Sequence, residues 1–256
     1  MDVLALELLL APALVIAATL VGWRFGAAVG GWLSALPLIA GPVLLVYALE
    51  EGLRFSADAA SGTLLGLVSL SAFIVVYARL APHASWPVAL LAGWTVFFAM
   101  TAVLRQIDVH AGVAGLMAGV SFLAAARLTP RIAPPEDPPV GNARGVDLAA
   151  RAIVTAALVV LLGETASALG PHLGGLLVAF PVLASVLSAF THARESGAAA
   201  AGLLRGMIAG LVGFGGFCLG VALWLPDLGL AAGFAAAAAM SLTLHAATLP
   251  LAARRA

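Results

Sequence analysis

Nine apolar stretches, each near the length a helix needs to cross a hydrocarbon core of about 30 Å with about 20 residues, occupy almost the whole chain. They run near Val3 to Val21, Gly30 to Leu49, Ala59 to Arg79, Trp86 to Leu104, Val109 to Ala126, Leu148 to Leu169, Leu173 to Phe190, Ala199 to Leu225 and Leu228 to Leu249. Only 9% of the 256 residues are charged and 63% are apolar, against about 25% charge in an ordinary soluble domain, so a soluble globule is excluded. The expected class is an all-α polytopic membrane protein. The 12 acidic and 12 basic side chains cancel, which leaves no positive surplus to grip phosphates and removes nucleic acid from the candidate partners. The one cysteine, Cys218, excludes a disulfide framework and a thiolate cluster, and its apolar neighbours predict a buried, inert thiol. All basic residues are Arg, a bias that fits a GC-rich genome and carries no functional weight.

Orientation follows from where Arg accumulates, because cytoplasmic loops hold the excess. With the N-terminus outside, ten Arg fall on the cytoplasmic side and only Arg54 and Arg105 outside. The expectation is a bacterial inner-membrane protein with its N-terminus outside and its C-terminus cytoplasmic. The first Arg is Arg24, after the first apolar run, so a cleaved signal peptide is not expected. The segment Thr129 to Asp147 (TPRIAPPEDPPVGNARGVD) holds five prolines and no apolar periodicity and reads as a cytoplasmic linker.

The chain also repeats itself. An ungapped offset of 144 residues lays Gly26 to Pro82 over Gly170 to Pro226 with identity at 16 of 57 positions; chance in so biased a composition gives roughly six. GGWLSALPLIAG (Gly30 to Gly41) lies over GGLLVAFPVLAS (Gly174 to Ser185), and GTLLGLVSLSAF (Gly62 to Phe73) over GMIAGLVGFGGF (Gly206 to Phe217). Gly and Pro carry half the matches, and they are residues with backbone meaning. Pro37 and Pro181 each remove a helical hydrogen bond, while Gly62 with Gly66 and Gly206 with Gly210 let helices approach closely. Four spans fall in each copy and one between them, and an odd connector inverts the second copy. The layout expected is repeat one over residues 1–105, a connector helix over 106–128, the linker over 129–147 and repeat two over 148–256.

The signature G-G-x-L-x-x-[LF]-P followed by an acidic turn resembles the small GlpM-like family of bacterial inner-membrane proteins. Its matching residues are Gly30, Gly31, Leu33, Leu36, Pro37 and Glu51 in one half, and Gly174, Gly175, Leu177, Phe180, Pro181 and Glu195 in the other. At the level of organisation the inverted repeat is similar to the drug/metabolite transporter superfamily, which typically has ten spans where nine are counted here. The resemblance implies a transporter-like scaffold and supplies neither substrate nor catalytic residue.

An ionisable group inside a span costs about 2.5 to 3.5 kcal/mol even on insertion scales, so each needs a reason. Glu164, in the sequence GETAS with Thr165 and Ser167, is the first candidate for proton coupling or cation binding; the alternative is an exposed helix-end glutamate. Glu7 can snorkel to the interface. Arg205 reads as a snorkelling anchor or as the partner of a substrate carboxylate, and His245 as a packed histidine or a ligand. Pro37 and Pro181 at equivalent positions mark kinks, or broken helices beside a midplane site. Glu51 and Glu195, equivalent and on opposite faces, are either gate latches or solvated loop charges. Trp86, Trp224 and Tyr77 lie near span ends as interfacial aromatics do.

No H-E-x-x-H, G-x-S-x-G, P-loop or dinucleotide fingerprint occurs, so neither an enzyme nor a bound cofactor or metal is expected. The sequence reading is a secondary transporter or flippase that moves a small solute by alternating access. The alternative is a non-transporting membrane scaffold or accessory subunit. Its partners are the lipid bilayer and the solute, and its Gly-rich helix faces offer surfaces for oligomerisation.

Overall fold

The computed structural model describes residues 3–107, 109–132, 144–169 and 180–253, with side chains described except at 3–7, 144 and 162–169. Among the described residues the structure is helical, without strands: α1 (Val3–Phe25), α2 (Ala27–Ser34), α3 (Ala40–Glu50), α4 (Leu53–Leu80), α5 (Trp86–Leu104), α6 (Ala111–Leu128), α7 (Arg144–Leu169), α8 (Val182–Arg194) and α9 (Gly197–Ala253). Five helices there are long and apolar enough to cross a membrane, the composition of a multi-pass membrane protein.

Local chemistry sets the breaks. Pro37 has no N–H, and the predicted span Gly30 to Leu49 is accordingly not one helix. The chain leaves the helix at Ala35 and restarts where Gly41 N–H donates to the Pro37 carbonyl at 2.9 Å. Pro181 sits at the N-cap of α8, so it opens that helix rather than kinking it. Residues 170–179, the first part of the predicted span Leu173 to Phe190, lie outside the described residues. The interior of α9 contains one non-helical residue, Gly229, at φ 77° and ψ 176°. An L side chain rarely adopts that φ, so glycine is what allows the reversal. Two arms result, 197–228 and 230–253.

The helix ends fall at a fixed spacing. α3 ends at Glu50 and α8 at Arg194; α4 begins at Leu53 and α9 at Gly197. The N-cap of α5, Ser85, and the break at Gly229 complete the series. Each pair is 144 residues apart.

Lipid tails are as apolar as leucine, so close packing rather than the hydrophobic effect holds such helices together. Here it reaches backbone contact. A Cβ on Gly206 would fall on the backbone of Ala28, one on Gly31 on Leu203, and one on Gly197 on Ala81. These contacts join α2 and α4 to the first arm of α9, and α1 packs beside α7. α4 meets the first arm antiparallel, with Ala81 beside Gly197 and Leu67 near Gly215. The arms pack on one another the same way, pairing Gly213 with Ser241 and His245, Gly220 with Ala237, and Leu225 with Gly233. α6 lies against α4 and the first arm. Leu91, Phe98, Leu116 and Val120 of α5 and α6 face outward, as lipid contact requires.

A buried polar site between a broken helix and a helical hairpin

The first arm of α9 offers glycine at 210 and 213, and the second arm lays Ser241 and His245 against them, four residues apart on one helical face. Counted at about 1.5 Å per residue, Gly210 and Gly213 lie about 20 to 24 Å along an arm of about 48 Å, so the site is near the middle of the arm. His245 is 2% exposed. Its Nδ1 lies 3.2 Å from the Gly210 carbonyl oxygen; a carbonyl only accepts, so Nδ1 carries a proton, and in the neutral ring Nε2 presents a lone pair. Nε2 has no hydrogen-bond partner, and neither has the buried Ser241 Oγ. Leaving such atoms unmet costs about 1 to 3 kcal/mol each.

Trp32 of α2 closes the site from the other side. Its ring stacks on His245 with centroids 4.1 Å apart. Its Nε1–H donates to the His245 carbonyl at 3.2 Å and to Thr248 Oγ1 at 3.1 Å. The helix that ends just before the Pro37 break thus supplies the aromatic wall of the polar pair.

A second concentration of polar groups lies at the end of the molecule where α1 and α8 finish and α7 starts. Arg151, 1% exposed, pairs through Nε with Asp147 Oδ2 at 2.7 Å and lies 5.2 Å over the Phe190 ring. Asp147 Oδ1 also faces Arg194 Nε at 3.5 Å, an ion pair without a hydrogen bond. Taking a pair such as Arg151 and Asp147 out of water is tolerated only when the charges meet each other this closely. Glu195 stands beside them. Burial pushes its carboxyl above the usual range, the Asp147 charge adds to this, and Arg151 and a hydrogen bond from Trp23 oppose it.

Between these regions α8 presents Ser185, Ser188 and His192 to α4 and α5. Trp94 Nε1–H donates to Ser185 Oγ at 2.9 Å, and Tyr77 Oη lies 3.4 Å from His192 Nδ1 and bonds Ser188. Above Trp94, Phe180 packs against the rings of Phe97 and Phe98, with centroids 5.4 and 5.6 Å apart.

The sequence candidates meet different fates. His245 is in the mid-arm site, Pro37 lies in the break that follows the Trp32 helix, and Glu195 is in the charged cluster. Arg205 is 9% exposed and donates from Nη1 to the Thr129 carbonyl at 2.7 Å, while Arg79 Nε donates to the Leu128 carbonyl at 2.9 Å. Two guanidinium groups thus meet the C-terminal carbonyls of α6, where the helix dipole is negative. Tyr77 is not interfacial but fully buried. Glu51 caps the end of α3 and is exposed. Glu164 lies in α7, and its side chain, like that of Glu7, is outside the described residues. Trp32, Ser241 and Arg151 were missed by sequence reasoning; for Arg151 the signal was available in Asp147 four residues earlier on the same helix. Comparison with family models, with curated proteins and with solved structures finds no match to this chain.

Proposed function

We propose that the chain is a secondary transporter or flippase-like carrier of a small solute, built from two inverted four-helix repeats joined by α6, with the Trp32, Ser241 and His245 site at its centre. The observation that carries this reading is His245 itself. A buried polar side chain with an unmet lone pair, packed against the middle of the first arm beside a broken helix, matches how transporters build binding sites. The 144-residue spacing of helix ends supports the repeat. The antiparallel meeting of α4 with the first arm of α9 supports its inversion, because a twofold in the membrane plane sends residue i to i+144 and reverses its direction. Applied to the contact of Leu67 with Gly215, it returns Ser71 with Leu211, in the same crossing near Val68 and Val212. α6 is then the odd connector. Arg79, Arg151, Arg194 and Arg205 gather at the linker end, which supports a cytoplasmic placement of that end under the positive-inside rule. The GlpM-like resemblance and nine spans belong to the same proposal.

The test needs no substrate. In a Cys218→Ala background, Ser241→Cys should react with a membrane-impermeant maleimide in intact spheroplasts and, separately, in inverted vesicles, as alternating access demands. The scaffold reading draws on the backbone-to-backbone packing at Gly31 and Gly206, which resists opening. It predicts that the thiol reacts from neither side until the protein is denatured, and that outcome would displace the transporter reading.

A further inference from the structure

The chemistry of the mid-arm site also limits what it can hold. Its two unmet atoms are of known kind: in the neutral ring His245 Nε2 is an acceptor only, because the one proton sits on Nδ1 and goes to Gly210, and Ser241 Oγ can donate or accept. The other polar groups of the site are spoken for. Thr248 Oγ1 donates to the His245 carbonyl at 2.8 Å and accepts from Trp32, whose Nε1–H has no further proton to give. Among the described residues, what faces His245 is Trp32 from α2, Gly210 and Gly213 from the first arm, and Ser241 and Thr248 from its own arm, with no carboxylate or guanidinium. The charged side chains described above lie at the linker end or, like Glu51, at an exposed helix terminus.

Among the described residues an ionic cargo brought to this site would meet no counter-charge to offset the cost of stripping its water. A neutral group with a hydrogen-bond donor would meet Nε2 directly, and its own acceptor would meet the Ser241 hydroxyl. The imidazole itself is held between the Trp32 indole and the glycines at 210 and 213, so its immediate surroundings are apolar.

We infer that the Ser241 and His245 face binds an uncharged solute through a hydroxyl or amide N–H that donates to His245 Nε2, with Ser241 Oγ completing the contact and Trp32 forming the apolar side. This rests on the transporter reading and narrows it to a substrate class. It also makes His245 a binding residue rather than the carrier of a proton.

Two measurements on the full-length protein in liposomes test it. Nitrogen-15 spectra of histidine-labelled protein, with His245→Gln assigning the signal, should show the neutral ring with hydrogen on Nδ1 at pH 7; a protonated Nε2 there would overturn the inference. Light-scattering shrinkage and recovery should show glycerol and urea, both neutral donors, entering faster than into protein-free liposomes, while choline and lactate do not. Both His245→Gln, which keeps hydrogen bonding but alters its geometry, and Ser241→Ala should slow that entry about tenfold, the effect of losing one hydrogen bond to the solute. Unaltered melting temperatures would show that the variants fold. Faster entry of choline or lactate, or no entry of the neutral probes while Ser241→Cys is labelled from both sides, would overturn the substrate class and leave the transporter standing. Absence of labelling would instead remove the transporter.

Discussion

The α4–α5 pair and the two arms of α9 occupy positions 144 residues apart, yet they solve the same contact differently. Between α4 and α5, Thr101 Oγ1 donates to Ser69 Oγ at 3.0 Å, side chain to side chain. In α9 the equivalents are His245 and Gly213, and the acceptor is backbone, the Gly210 carbonyl. Replacing Ser by Gly makes room for an imidazole, and the exchange leaves Nε2 unmet. The first contact is closed, side chain to side chain, while the second leaves an open acceptor.

Swapping the distinguishing residues tests this. A Cβ on Gly213 would lie 2.8 Å from His245 Cβ and 3.0 Å from the Ser241 carbonyl, so Gly213→Ser should cost about 3 kcal/mol or more and abolish a monodisperse peak in detergent. Wild-type behaviour would show that the arms are not packed this closely. The reciprocal Ser69→Gly should lower stability by about 1 to 2 kcal/mol, from a lost hydrogen bond and a glycine within a helix, read as a shift in thermal unfolding.

Making the second contact resemble the first, His245→Thr removes the stack on Trp32 and the bond to Gly210 and leaves a space where the ring was. We expect a loss of about 2 to 4 kcal/mol, measured the same way, with entry of neutral solutes falling to the protein-free rate. Trp32→Phe keeps the aromatic wall and removes only its donor. It should cost about 1 kcal/mol, and a cost equal to that of His245→Thr would mean that the ring, not the hydrogen bond, is what α2 contributes.

The smallest effect concerns Glu195. Its carboxyl is raised by burial, so the folded state holds the proton more tightly than the unfolded one. Its contribution to stability is present below the ordinary value of 4.5 and is lost as pH rises through the raised value. Glu195→Gln should flatten thermal stability over the pH range starting at 4.5. A profile unchanged by the substitution would mean that the carboxyl is solvated in the folded protein.

Spans and breaks were legible in the sequence because their causes are local. Pro37 announces a missing donor, and the 19-residue stretch from Trp86 to Leu104 becomes α5 at the expected ends. What the chain hides is partnership at a distance. Tyr77 reads as an interfacial aromatic until α8 brings His192, 115 residues on, against its hydroxyl. The carbonyl that Arg205 meets belongs to Thr129, 76 residues back. Ser241 follows a long alanine run and has no neighbour in sequence to mark it. His245 was visible as an oddity in an apolar helix, but nothing local revealed that Nδ1 would be satisfied and Nε2 left open.

The reversal at Gly229 bears on how the protein enters a membrane. Non-helical backbone amounts to one residue there, too little to form a loop that could wait in water while one arm is inserted alone. The second arm by itself would also be a poor passenger, since lipid would confront the imidazole of His245 without satisfying its polar nitrogens. Folded against the first arm, the same ring finds the Gly210 carbonyl before it meets any lipid. We therefore expect residues 197–253 to leave the insertion machinery as one helical hairpin. On that view the glycines at 210 and 213 are a biogenesis feature as much as a packing one, for they let a polar residue cross the threshold already covered.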